Sequence, residues 1–377
     1  MRRVFILAGL VIVSGGSGVA PGDEPKSEPT SPLGRKLVKL QKQFEDDAKP
    51  LKKKLADAKD PEDKRQANFQ IKELHAITAS DAVELAEEGK RDEAGLDAAM
   101  FAIKLLGELQ ITGNDLDKAC DIILRNHIDS SKIAPALGYM VEVGPTGLAF
   151  LETVVDKATK DDVKALALYY NALALDGKAG RNEGRASDEI INKVRMEAAE
   201  LMEKAVRLAP DAKVGDKTLA KAAAIELVSL KIGVGNPAPD IEGTDLDGKK
   251  VKLSGFRGKV VLLDFWATWC GPCKAMIPHE RELVEKLKDK PFTLLSVSAD
   301  DEKATVTEFI GTDKMPWAHW WDGPKGSVCK MFRIRSYPTL FLIDAKGVVR
   351  KKWVGSPGNE VIDKAVDELV AEAEARK

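Results

Sequence analysis

At 377 residues the chain has room for two or three domains of roughly 150 residues each, and its 44% apolar fraction is that of a protein that buries cores rather than a disordered one. Lys and Arg number 58 against 60 Asp and Glu, so the summed charge gives no reason to expect nucleic acid or an anionic membrane surface as a partner. Four cysteines, Cys120, Cys270, Cys273 and Cys329, are too few to staple a scaffold of this size, so the close pair must serve another purpose.

Arg2 and Arg3, the apolar run from Val4 to Val13 and the small-residue tail from Ser14 to Ala20 predict an export signal over residues 1–20. The apolar run is too short to span a bilayer as a mature helix. Pro21 would sit beside a cut after Ala20 and disfavour it, so two readings stay open: a cleaved signal, or an uncleaved one that tethers the protein to the membrane. Residues 21–34 combine four prolines with charge and Ser/Thr and read as an extended linker.

From 35 to 232 apolar residues recur at three- and four-residue steps, as in Leu37, Leu40 and Phe44, with Gly or Pro between the runs; this predicts an all-α domain. The clearest helices are Asp115 to His127, Val163 to Leu175, Asp188 to Leu208 and Lys217 to Lys231. The stretches Ala165 to Tyr170 and Ala198 to Pro210 are similar to tetratricopeptide helices, but no sustained period of about 34 residues appears. Both an irregular helical bundle and a repeat-like array remain open.

At Gly233 the pattern changes. Gly235-Asn236-Pro237-Ala238-Pro239 forbids a continuing helix, and short β-rich runs then alternate with helical ones: Lys250 to Leu253, Val260 to Phe265, Thr293 to Ser298, Leu340 to Ile343 and Val348 to Trp353. Asp245-Leu246-Asp247-Gly248 is a hairpin-turn signal. Residues 233–377 are therefore expected to be an α/β domain around a central sheet, closed by an amphipathic C-terminal helix.

Trp269-Cys270-Gly271-Pro272-Cys273 falls where a buried strand gives way to a helix. The free N–H groups and positive dipole end of a helix N-terminus stabilise a thiolate, the nucleophile of disulfide exchange. Two cysteines three residues apart on the first turn can close a disulfide without unfolding the helix. Cys270 is the expected attacker, one sulfur being exposed, and Cys273 the resolving thiol, partly covered by the turn. Zinc is disfavoured because the four histidines are scattered, and Lys274 stands where haem attachment needs a histidine. No metal and no cofactor are expected.

The run LLDFWATWCGPCK, with Ser336-Tyr337-Pro338-Thr339, resembles the thioredoxin superfamily. Asn236-Pro237-Ala238-Pro239-Asp240, Asp247-Gly248-Lys249 and Gly258-Lys259-Val260-Val261 narrow the resemblance to extracytoplasmic TlpA/ResA-type thiol-disulfide oxidoreductases with a redoxin domain. The stretch between Asp300 and Pro338 matches the insertion of that type, and the long helical half resembles exported planctomycete-type redoxin proteins. The resemblance implies a cis peptide bond before Pro338 that faces the active site, with Tyr337 and Thr339 beside it, and Trp269, Gly271 and Pro272 as support. It also implies that Asp264, six residues before Cys270, is the buried acid that helps take the proton from Cys273. Ser296 stands where thioredoxins carry a lysine partner of that acid, and Met276 where many TlpA/ResA-type sequences place a glutamate. The Gly-Pro dipeptide is that of reducing thioredoxins, whose potential is about −270 mV.

Cys120 is read as an ordinary buried thiol; Cys329 as a packed thiol or a third redox thiol; Trp317, Trp320 and Trp321 as packing for the insertion or as a substrate-facing rim. The function this predicts is an exported, periplasmic thiol-disulfide oxidoreductase that reduces protein disulfides through a mixed disulfide, with an envelope electron donor and a protein partner for the helical domain. Two further readings stay open: a peroxiredoxin-type peroxidase, of whose Pro-x-x-x-Thr-x-x-Cys setting only fragments occur, and a helical interaction scaffold that carries a redox domain.

Overall fold

The computed structural model describes residues 31–182 and 185–375; the expected export signal and residues 21–30 of the linker lie outside them. Helices α1 (Pro32–Asp57), α2 (Pro61–Glu88), α3 (Glu93–Glu108), α4 (Asn114–Asn126), α5 (Ala134–Tyr139), α6 (Pro145–Lys157), α7 (Asp161–Arg181) and α8 (Asp188–Leu208) come first. A hairpin of β1 (Lys213–Val214) and β2 (Lys217–Thr218) then leads into α9 (Leu219–Lys231).

Local chemistry starts these helices. The Ser31 and Asp60 side chains accept hydrogen bonds from the Gly34 and Glu62 N–H groups, and Pro32 and Pro61 occupy the first turn, where a missing N–H costs little. Residues 32–34, expected as the end of the linker, thus form the first turn of α1. Lys217, expected inside a helix, lies in β2 instead: Gly215 takes a positive φ of 60°, the chain reverses, and Thr218 caps α9 by accepting from the Lys221 N–H.

Successive helices pack on one another around a single apolar core that runs from Leu37 to Leu230. Ala79, Ala82 and Ala86 of α2 and Ala98, Ala99 and Ala102 of α3 are all buried there, and such small side chains let two helices approach closely. Helix lengths from 6 to 28 residues fit no constant repeat unit, so the half is an irregular helical array.

The second half contains β3 (Glu242–Thr244), β4 (Lys250–Lys252), β5 (Val260–Trp266), α10 (Gly271–Lys286), β6 (Phe292–Ser298), α11 (Lys303–Asp313), β7 (Ala318–Trp321), α12 (Ser327–Met331), β8 (Thr339–Ile343), β9 (Val349–Val354) and α13 (Asn359–Glu374). Strands β3 and β4 form a hairpin, and the central sheet has the order β7-β6-β5-β8-β9, with β5, β6 and β7 parallel and β8 and β9 antiparallel additions. Every residue of β5 is buried, as its continuous apolar run requires. Val260 and Leu262 pack with Met276 and Leu283 of α10 and with Ile362 and Val366 of α13. Val261, Leu263 and Phe265 face the opposite layer with Phe332 and Phe341. By this alternation Asp264 points toward α10.

An all-α half followed by an α/β half is what the sequence predicts. The expected insertion holds α11, the edge strand β7 and α12. Strand β7 escapes a sequence reading because Ala-His-Trp-Trp has no two-residue alternation, and its burial runs through two adjacent residues. Trp320 packs in the sheet core, while Trp317 and Trp321 direct their indole N–H groups to Ser296 Oγ and the Asp300 carbonyl, at 2.9 and 2.8 Å.

Polar contacts join the halves. Ser229 of α9 donates to the Met331 carbonyl at 2.7 Å, and Asn192 of α8 donates to the Val234 carbonyl at 2.7 Å. Asp176 of α7 accepts from Arg195 of α8 at 3.3 Å and pairs with Arg333, which also lies 3.4 Å from Glu226 of α9. The Asp176, Arg195 and Arg333 side chains are only 14, 8 and 13% exposed. Removing one member of such a buried group strands its partners. Asp176→Ala is therefore expected to lower the unfolding free energy by about 3 kcal/mol in urea titrations, against which a change below about 0.5 kcal/mol would count.

Candidate active site

Strand β5 ends at Trp266, and the chain turns so that Cys270 becomes the N-cap of α10, its Sγ accepting from the Cys273 N–H at 3.2 Å. Cys270 and Cys273 form a disulfide with their Cα atoms 5.3 Å apart. Gly271 and Pro272 between them are exposed, and a Cβ at Gly271 would meet no atom within 4 Å. As whole residues Cys270 and Cys273 are covered alike, at 5% and 4% exposed. Trp266, Ile277, Val306 and Met315 pack around both, with Tyr337 at the edge.

The loop before β8 completes the rim. The Tyr337–Pro338 peptide bond is cis. The buried Thr339 donates its hydroxyl proton to the Ser336 carbonyl at 2.8 Å, and the Gly355 N–H binds the Pro338 carbonyl at 2.8 Å, so this turn is held from both sides. Trp269, 63% exposed, stands edge-on to the Tyr337 ring with centroids 5.6 Å apart. Together they make an aromatic border beside the disulfide.

The buried acid sits on β5. Asp264 is 3% exposed; Ser296, its neighbour in register on β6, donates to Oδ2 at 3.4 Å, and Oδ1 has no partner. Burial pushes its pKa up to about 7, against which the Ser296 hydrogen bond works weakly. Ser296 in turn accepts from the Trp317 indole, so serine and indole occupy the place of the lysine partner. Met276 is buried among the apolar residues between β5 and α13.

Of the remaining thiols, Cys120 lies in the core of the helical half, while Cys329 is hydrogen-bonded through its side chain to Tyr337 on the rim. Burial pushes the Cys120 thiol up to about 12. Cys329 is raised further, first by burial and then by the Asp322 carboxylate, whose Oδ2 also accepts from the Cys329 N–H at 2.7 Å; both thiols stay protonated at neutral pH.

Two acids near the site are absent from the sequence expectations. Asp300, 2% exposed just beyond β6, accepts from the Thr268 N–H at 3.0 Å, the Thr268 hydroxyl at 2.6 Å and the Ser298 hydroxyl at 2.8 Å. It ties down the loop that presents Cys270, and no local motif marks that role because Thr268 lies 32 residues away. Glu280 is 2% exposed within α10. It was readable, being an acid in the apolar stripe Met276, Ile277, Glu280, Leu283.

A disulfide at a helix N-terminus, a cis-proline loop and a buried acid on the central parallel strand define a thioredoxin-like thiol-disulfide oxidoreductase. Residues 234–352 match the AhpC/TSA family. Thiol-disulfide oxidoreductase ResA of Bacillus thuringiensis is 33% identical over 139 residues, which are 37% of this chain and 80% of that protein. ResA of Geobacillus kaustophilus is 33% identical over 138 residues, 79% of its length. Among solved structures, a putative thiol:disulfide interchange protein DsbE from Chlorobium tepidum matches 37% of this chain and 96% of its own at 33% identity, with a TM-score of 0.33. The chain belongs to the ResA family of thiol-disulfide oxidoreductases.

Two outcomes follow from the acids. Asp300→Ala removes two hydrogen bonds to Thr268 of the active-site loop and one to Ser298 at the end of β6, at about 1 kcal/mol each, and should lower both stability and exchange activity, as read by urea titration and turnover. Asp264 binds its proton more tightly folded than unfolded, so its contribution to stability is fully present below pH 3.8 and is lost as pH rises toward about 7, at about 1.4 kcal/mol per unit. Asp264→Asn should therefore raise the melting temperature at pH 7 and much less at pH 4. An equal shift at both values would refute the ionisation.

Proposed function

We propose that the protein is exported and reduces protein disulfides on the far side of the cytoplasmic membrane, through a mixed disulfide on Cys270. The observation that carries this reading is the Cys270–Cys273 disulfide at the N-terminus of α10, the helix that packs on the face of β5 holding the buried, ionisable Asp264. The signal-like residues 1–20 support export.

In the reduced enzyme the Cys273 N–H and the dipole of α10 favour a thiolate at Cys270. That thiolate attacks one sulfur of the substrate disulfide, forms the mixed disulfide and expels the other sulfur as thiolate. The border of Trp269 and Tyr337, set by the buried Pro338–Thr339 turn, then holds the client backbone, with Gly271 and Pro272 leaving the approach open. Asp264, ionised above about pH 7, takes the proton of the Cys273 thiol, and the Cys273 thiolate attacks Cys270 Sγ. The Cys270–Cys273 disulfide closes and the second substrate thiolate leaves, two electrons having passed from the enzyme to the substrate. A dithiol donor in the envelope restores the enzyme by the reverse exchange, and the helical half binds that donor or the client.

Cys270→Ser should abolish reduction of insulin disulfides, and Cys273→Ala should accumulate a mixed disulfide seen as a reducible mass increase. Retained turnover in Cys270→Ser, or consumption of peroxide faster than insulin reduction by the unaltered enzyme, would overturn the proposal. In single-turnover experiments the release of substrate from the mixed disulfide should rise through an inflection near pH 7 that Asp264→Asn removes.

A further inference from the structure

Helix α10 buries the stripe Cys273, Met276, Ile277, Glu280 and Leu283 against the sheet. Glu280 follows Cys273 by seven residues, two helical turns, so both lie on the face turned toward β5. By strand alternation Asp264 points from β5 toward that same face. Each of these acids carries one buried oxygen without a partner, Oε1 of Glu280 and Oδ1 of Asp264. Burying an acid is costly unless it is paired or neutral, and a methyl-terminated side chain would fill position 280 without that cost.

We propose that Glu280 is a positioning residue of the proton relay, forming with Asp264 a buried carboxyl pair that holds one proton between its two members.

The surroundings support this. Burial, and then the charge of Asp264, holds the Glu280 carboxyl well above the usual carboxylate range, and among the described residues no cation offsets either effect. Beside the pair on α10 are Cys273 and His279; the latter is engaged with Asp363 of α13 at 2.9 Å. Strand β6 contributes the uncharged Ser296. On β7, His319 lies with its ring 5.5 Å from Trp317 and is kept neutral by burial, which lowers it to about 4. Two like charges in one dry site cannot both form near neutrality, so the protons belong to the pair, not to either residue. With one proton present the pair carries a single negative charge, and that charge is the base. The step moves one proton from Cys273 Sγ to the pair, which then holds two and returns one to the departing substrate thiolate. No electrons move beyond those of the exchange itself.

The inference rests on Asp264 accepting the Cys273 proton, and the test separates the two. Release of substrate from the mixed disulfide is followed against pH in single turnovers of the full chain. The unaltered enzyme should show two inflections, one near pH 7 and one above it. Glu280→Gln, which cannot ionise, should lose the upper one. Glu280→Leu, which offers no polar atom to the Asp264 anion, should move the lower inflection up by about one unit, a roughly tenfold slower release at pH 7. In an Asp264→Asn background neither Glu280 substitution should alter the profile. Profiles of Glu280→Gln and Glu280→Leu that overlay the unaltered one would overturn the pair, as would an equal slowing by Glu280→Leu with Asp264→Asn present. If Glu280→Leu does not fold, Glu280→Gln decides alone. Should Asp264→Asn itself leave the profile untouched, the Asp264 reading fails first, and the pair with it.

Discussion

The contact between Cys270 Sγ and the Cys273 N–H at the start of α10 is the constraint around which the C-terminal half is organised. It requires the sulfur at the N-cap of a helix whose field favours its anion. That requires a strand ending four residues earlier at a fixed height, which β5 supplies because all of its residues are buried and its register with β6 and β8 leaves no freedom to slip. The turn between strand and helix is then held by Asp300, whose carboxylate binds both the backbone and the hydroxyl of Thr268.

Such a site carries energetic costs that the fold must offset. Asp264 and Glu280 sit in an apolar interior with unmet hydrogen-bonding capacity. The layers of apolar side chains on the two faces of the sheet supply the opposing term, together with the helix α13 that closes one of them. The burial that makes these acids expensive also brings Asp264 into the pH range where it can exchange a proton with a thiol.

Besides the Asn192–Val234 contact, the helical half meets this machinery just before the cis-proline loop. Asp176 and Glu226 engage Arg333, and Ser229 engages Met331, all within a few residues of the loop that leads into Tyr337 and Pro338. The contacts reach the segment that forms the rim of the site. The two halves are therefore linked a few residues before the loop that carries Tyr337 and Pro338.

Much was legible in the amino-acid order. The Cys-Gly-Pro-Cys run, the uninterrupted apolar strand before it and the three- and four-residue periodicity of the first half are local signals. They specified an all-α part, an α/β part and the position of the reactive pair, because helix caps, strand burial and turn chemistry act over a few residues. Asp264 and Pro338 were reached only through resemblance to known sequences. Tertiary structure alone decided the rest: that β7 joins the sheet edge, that the Trp317 indole reaches Ser296 beside Asp264, that Cys270 and Cys273 are both buried, and that Asp300 anchors the active-site loop. Each of these depends on residues more than twenty positions apart meeting across packed layers, and burial, unlike helical or strand periodicity, leaves no mark in a short stretch of sequence.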